Sequence, residues 1–232
     1  MTALVPERSS RRRIFVGDVQ GCLVELEALL RATDYDPTAD ELFFVGDLIR
    51  KGPESAGVLR LVRDLKATCV LGNHDFDVLN GGKCPADLAQ AEDREALFDL
   101  MASWPWLVDL GDILLVHAAA PPRCWHLKAK DPIEGPSDVV TAAEERSFAL
   151  TARYCDARGR RPTSDWPPPP PPFAPWHSFY EGERRVVYGH WARQGLQRGD
   201  RTIGLDTGCV YGKELTAWIA EEDRIVQVAG RR

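Results

Sequence analysis

The chain has 232 residues, 44% hydrophobic and 28% charged, with a formal net charge of -6. That length and balance suit one ordinary globular domain. The acidic sum excludes a global basic field for holding nucleic acid non-specifically, and no apolar run approaches the ~20 residues of a membrane span.

The opening MTALVPERSSRRR is basic and lacks the apolar core of a signal peptide, so residues 1–12 are expected to be a flexible leader. Residues 13–232 then read as one domain, with a cap or insertion region around 121–180. Six scattered cysteines without a CxxC pair fit reduced thiols in a cytoplasm.

Arg13-Ile14-Phe15-Val16 is a short apolar strand ending in Gly17-Asp18, followed by Gln20-Gly21 and a helix whose Leu23, Leu26, Leu29 and Leu30 share one face. The unit repeats. Leu42-Phe43-Phe44-Val45 leads into Gly46-Asp47 and Arg50-Lys51-Gly52-Pro53, then a helix burying Val58, Leu59, Val62 and Leu65. Thr68 to Leu71 leads into Gly72-Asn73-His74-Asp75. Right-handed crossovers place three such strand ends on one edge of a sheet, so Asp18, Asp47 and Asn73 are expected to converge.

Phe76 to about Pro105 reads as a helical insertion. Asp112 to Val116 is the next strand and delivers His117; Arg185 to Tyr188 is another and delivers Gly189-His190. His126 and His177 lack that setting and read as structural. Glu144 to Arg153 reads as helical, and Pro167 to Pro172 as a stiff polyproline II connector flanked by Trp166 and Trp176. The tail is β-like over 202–205, 215–220 and 224–228, which suggests a second sheet packed on the first.

Gly17-Asp18-Val19-Gln20-Gly21, Gly46-Asp47, Gly72-Asn73-His74-Asp75, His117 and Gly189-His190 resemble the five motifs of the calcineurin-like metallophosphoesterases. The order and spacing match over roughly residues 13–220. Within that superfamily the chain looks most like the symmetrical bis(5′-nucleosyl)-tetraphosphatases, through Gly17 to Cys22, Gly46 to Leu48 with Gly52-Pro53, Val187 to Ala192, and Gly204 to Cys209. The resemblance implies an α/β fold, a four-layer αββα sandwich of two mixed sheets, with two divalent metals at the carboxyl ends of the central strands. Asp18 and Gln20 would hold the first metal, Asp47 would bridge, and Asn73, His117 and His190 would complete the second site. His74 would act as the acid on the leaving oxygen with Asp75 fixing its tautomer. Lys51 and Arg153 would hold phosphates, and Asp206 would support the histidine ligands.

The activity so implied is hydrolysis of diadenosine tetraphosphate to two ADP by a metal-bridging hydroxide, clamped between the two ions. The partner is thus a small nucleotide or other phosphoester, with no membrane. Gln20 stands where most of the superfamily has histidine, and an amide oxygen favours Mn²⁺ or Mg²⁺ over Zn²⁺ or Fe. Arg50-Lys51 replaces the Asp-Arg of the related Ser/Thr protein phosphatases, and the region from Arg123 to Pro175 departs from the family pattern. Two other readings stay open: a phosphoprotein phosphatase, and a metal-poor interaction scaffold.

Overall fold

A computed structural model describes residues 11–135 and 139–231. Residues 1–10 of the expected leader lie outside the described residues, and Arg12 already opens the first strand. Strands β1 (Arg12–Val16), β2 (Asp40–Phe44) and β3 (Thr68–Cys69) run parallel, linked by helices α1 (Leu23–Ala32) and α2 (Ser55–Asp64). Helices α3 (Asn73–Leu79), α4 (Ala86–Ala89) and α5 (Arg94–Ala102) form the expected helical insertion. Next come β4 (Leu107–Asp109), β5 (Ile113–Val116), α6 (Val139–Thr151) and the small ribbon of β6 (Tyr154–Cys155) with β7 (Ala174–Pro175). Then follow β8 (Arg185–Tyr188), β9 (Gln197–Arg198), β10 (Thr202–Gly204), β11 (Glu214–Ile219) and β12 (Arg224–Ala229).

The tail departs from expectation. Only β10 enters the second sheet, whose order is β4-β5-β8-β10-β9; β11 and β12 return to the first, which runs β12-β11-β1-β2-β3. The reason lies in β1. Its edge opposite β2 needs a partner, and Ile14, Phe15 and Val16 pair there, antiparallel, with Ile219, Trp218 and Ala217.

Side-chain alternation sorts these strands into layers. In β1, Ile14 and Val16 face the helices while Phe15 faces the other sheet; in β2, Leu42 and Phe44 face out and Phe43 in. The second sheet mirrors this. Ile113, Leu115 and Val187 face the first sheet, and Leu114, Val116, Val186 and Tyr188 face Phe148 and Ala149 of α6 with Trp125 and Trp176. Phe15 stacks on Phe43 at 4.8 Å between the sheets. The product is the four-layer αββα sandwich of two mixed sheets flanked by helices. The proline-rich segment is not one continuous polyproline II rod. The chain turns at Pro171 and Pro172, where the Phe173 amide donates to the Pro170 carbonyl. No helix among the described residues is long and apolar enough to cross a membrane.

Arg12 and Asp40 sit side by side in the β1–β2 register and form a two-point ion pair at 2.7 and 2.8 Å. Burial pushes Asp40 up, but the Arg12 hydrogen bonds and the Asp36 amide outweigh it and hold the carboxyl below its ordinary value. A depressed carboxyl contributes stability above its unfolded pKa and loses it as pH falls through the folded value. Asp40→Asn is expected to cost about 1–3 kcal/mol near pH 7. Urea denaturation across pH should show the gap to wild type closing in acid; a gap independent of pH would exclude this role for the pair.

Candidate functional site

Six parallel strands end at one edge of the two sheets, and each releases a candidate residue within a few positions. β1 is followed by Asp18, β2 by Asp47, β3 by Asn73, β5 by His117, β8 by His190 and β10 by Asp206. Glycine precedes four of them because the loops pack backbone against side chain. A methyl group on Gly72 would overlap the backbone nitrogen and Oδ1 of Asp47, and one on Gly189 would overlap Oδ1 of Asp18. Gln20, Asp47 and His190 themselves adopt left-handed backbone, with φ of 48, 52 and 67°.

The loops are tied to one another through their polar atoms. Both oxygens of Asp18 accept from the His190 amide, at 3.1 and 3.2 Å. Asp47 Oδ1 accepts from the His74 amide at 2.8 Å and lies 3.4 Å from His117 Nε2. Asn73 Oδ1 lies 3.1 Å from His117 Nε2 and 2.8 Å from His190 Nδ1. Oxygen and nitrogen atoms of Asp18, Asp47 and His117 all fall within 4.8 Å of one another.

Electrostatically this cluster is incomplete on its own. Asp18, Asp47 and Asp206 are all buried, and among the described residues no lysine or arginine forms an ion pair with them. Burial, then the charges of Asp206 and Asp47, push Asp18 well above the ordinary carboxylate range. Burial pushes Asp47 up to about 7 against the opposing His74 amide. His117 is driven down to about 4 by burial, so it is neutral near pH 7. Its Nδ1 lies 2.8 Å from the Val45 carbonyl, which can only accept, so Nδ1 carries the proton. Nε2 then turns a lone pair toward the oxygens of Asn73 and Asp47. Gln20 Oε1 is likewise buried with no hydrogen-bond partner among the described residues. Acceptors facing acceptors, beside crowded carboxylates, are satisfied by cations with a preference for oxygen and imidazole ligands. Divalent metal ions fit this donor set.

Two expected roles need correction. Asp75 does not orient His74. Its carboxylate is fully buried and accepts from the amides of Asp47, Leu48, Ile49 and Gly72, so it fastens the second and third loops together. The side chain beside His74 Nδ1 is Arg50, at 3.4 Å, whose guanidinium also pairs with Asp77. Because a guanidinium only donates, Nδ1 is the acceptor, and the proton sits on Nε2, which faces Asp47 Oδ2 at 3.7 Å. Sequence reasoning passed over Arg50 in favour of Lys51. Asp206 makes no hydrogen bond to a histidine ring among the described residues and acts on His117 through its charge alone: Val45 holds the His117 ring, and Asp206 accepts from the Gly208 amide beside Asp18 and Asp47.

Lys51 and Arg153 form no ion pair with these carboxylates among the described residues; both line a cavity of about 890 Å³, and the Lys51 charge lowers the pKa values of Asp47 and Asp206. Lys51 Nζ is 2.7 Å from the Tyr211 hydroxyl, and Arg153 pairs with Asp165 at 3.4 Å. Gln20, Asp47, Asn73, His74, His190 and Asp206 line the same cavity. Of the two histidines set aside earlier, His126 is exposed against Glu181 and His177 meets Trp176 edge-to-face.

A family model described as calcineurin-like phosphoesterase matches residues 11–194. Among curated proteins, a symmetrical bis(5′-nucleosyl)-tetraphosphatase of Shewanella sp. (strain ANA-3) is 33% identical, over 90% of this chain and 95% of its own. The enzyme of that name from Methylococcus capsulatus is 32% identical, over 87% and 89%. Among solved structures, a protein assigned as a diadenosine tetraphosphatase superposes with a TM-score of 0.76 at 29% identity, covering 98% of this chain and 97% of its own. A serine/threonine phosphatase from Saccharomyces cerevisiae shares the fold alone, with a TM-score of 0.62 at 13% identity over 98% and 82%.

Proposed function

The chain belongs to the calcineurin-like phosphoesterase family, and we propose that it is a hydrolase of dinucleoside polyphosphates, cleaving diadenosine tetraphosphate symmetrically into two ADP. The observation that carries the reading is the buried cluster itself, with Asp18, Asp47 and His117 within mutual ligand distance and the Gln20 oxygen left over. The names of its relatives support the substrate class, and so does a cavity large enough for a nucleotide beside that cluster.

Asp18, Gln20 and Asp47 would hold one divalent ion; Asp47, Asn73, His117 and His190 would hold the other. Manganese is the metal the donor set favours. When bound, the ions neutralise charge on the phosphoryl oxygens and acidify a water molecule. The remaining work falls to side chains of this chain. Lys51 and Arg153, facing the cavity, hold the phosphates that do not react. Asp75 keeps the Asp47 loop and the Asn73 turn in register through its four amide contacts.

His74 presents Nε2–H toward the reacting centre. Burial and the charges of Lys51 and Arg50 lower its pKa to about 4 in the free protein. A polyphosphate arriving beside it adds negative charge and works in the opposite direction, which favours the imidazolium at the moment a leaving oxygen needs a proton. Water adds to an inner phosphorus and releases a proton to solvent, the bridging P–O bond breaks, and the departing ADP takes its proton from His74. We place this activity in the cytoplasm.

The testing experiment is hydrolysis of diadenosine tetraphosphate with Mn²⁺, resolving products by chromatography, with p-nitrophenyl phosphate and a phosphopeptide in parallel. ADP is expected as the sole nucleotide product. Rapid phosphopeptide turnover without nucleotide turnover would replace this reading with that of a protein phosphatase. Silence on all three substrates with metal bound would favour the interaction scaffold.

A further inference from the structure

Large apolar side chains that stay in water are rare on this molecule. Among the described residues they are Val140, Trp166 and Tyr211, and the two aromatic ones line the same cavity as Asp47 and His74. Trp166 is 64% exposed. It stands just before the proline-rich segment, in the cap region, where packing would ordinarily explain a tryptophan; here packing leaves most of the ring uncovered. Its backbone is fixed, since the Ser164 hydroxyl bonds both its amide and its carbonyl, at 3.2 and 2.8 Å. The Arg193 guanidinium lies 4.3 Å from the ring centre. Next to Trp166, Asp165 pairs with Arg153, which also lines the cavity.

A ring held in place with a guanidinium on it, opening into a cavity already provided with phosphate-sized cations, suits one ligand chemistry. Nucleobases stack on tryptophan and guanidinium planes, which a phosphoserine side chain has no ring to do. We infer that Trp166, backed by Arg193, is the platform on which one nucleobase of the substrate stacks, making the cap segment a nucleoside subsite. This rests on the dinucleoside polyphosphate reading and adds to it the residue that selects nucleotides over other phosphoesters. Stacking uses the face that every base possesses, so the subsite accepts guanine as it does adenine.

The test is calorimetric binding of ADP to the Mn²⁺-loaded protein, for wild type, Trp166→Ala and Trp166→Phe. Trp166→Ala is expected to weaken ADP about 5- to 150-fold, the range for losing one aromatic–base stack. Trp166→Phe should recover most of the affinity. In hydrolysis the same loss should appear in KM for diadenosine tetraphosphate, with kcat and p-nitrophenyl phosphate turnover unchanged. A second measurement uses fluorescence: the emission present in wild type and missing from Trp166→Phe should be quenched by ADP. Unaltered ADP affinity in Trp166→Ala, or no quenching, overturns the inference whichever substrate is cleaved. Weakened ADP binding without any dinucleotide cleavage would uphold the subsite while overturning the proposed reaction.

Discussion

Asp47→Asn is expected to lose metal and activity together. Asp47 is the residue on which both halves of the cluster meet: one oxygen accepts from the His74 amide and lies near His117, the other faces His74 Nε2. The amide is nearly isosteric, so the loop ties from Asp75 to the Asp47, Leu48 and Ile49 amides survive and the protein stays folded. What disappears is the negative charge with which Asp47 would hold the ions. Loss of that electrostatic stabilisation amounts to several kcal/mol at the transition state, on the order of 10³-fold in rate. Calorimetric titration with Mn²⁺ should show the stoichiometry or affinity falling in parallel with hydrolysis. Two ions bound with wild-type affinity would contradict a bridging role.

The contrasting variant is His74→Ala, expected to keep the metal and lose rate. His74 supplies no atom to the group formed by Asp18, Asp47 and His117, and only its backbone amide bonds Asp47; alanine retains that amide. Removing a general acid costs ~10²–10⁴-fold when the leaving group needs a proton. The loss should therefore be large for diadenosine tetraphosphate and small for p-nitrophenyl phosphate, whose phenolate departs unaided. Equal losses on both substrates would mean that His74 acts by holding phosphate.

Much of this site was legible because each candidate residue follows its own strand. An apolar run followed by glycine and a polar residue, repeated in phase, fixes both a sheet edge and what stands on it, and Asp18, Asp47, Asn73, His117 and His190 meet as their spacing implied. What stayed hidden depends on contacts that no local pattern encodes. Asp75 neighbours His74 in sequence, yet α3 begins at Asn73 and turns the Asp75 carboxylate back into the N-terminal turn toward Gly72 and the Asp47 loop. Arg50 reaches His74 from 24 positions away. The apolar alternation of β11 fits either sheet equally well; the open edge of β1, a property of the assembled fold, decides between them.

The return of β11 to β1 has a consequence for how the protein is made. Gly17, at the head of the first loop of the cluster, donates to the carbonyl of Thr216, and Asp18 receives the amide of His190, 172 positions away. A ribosome releases β1, β2 and β3 early, but one side of β1 then lacks its partner, and the Asp18 carboxylate lacks the group that aims it. Contacts of such long sequence separation form late, after the loop-closure entropy has been overcome. The nascent chain thus emerges with its carboxylates unassembled, and the cluster closes only after His190 and Thr216 have left the tunnel.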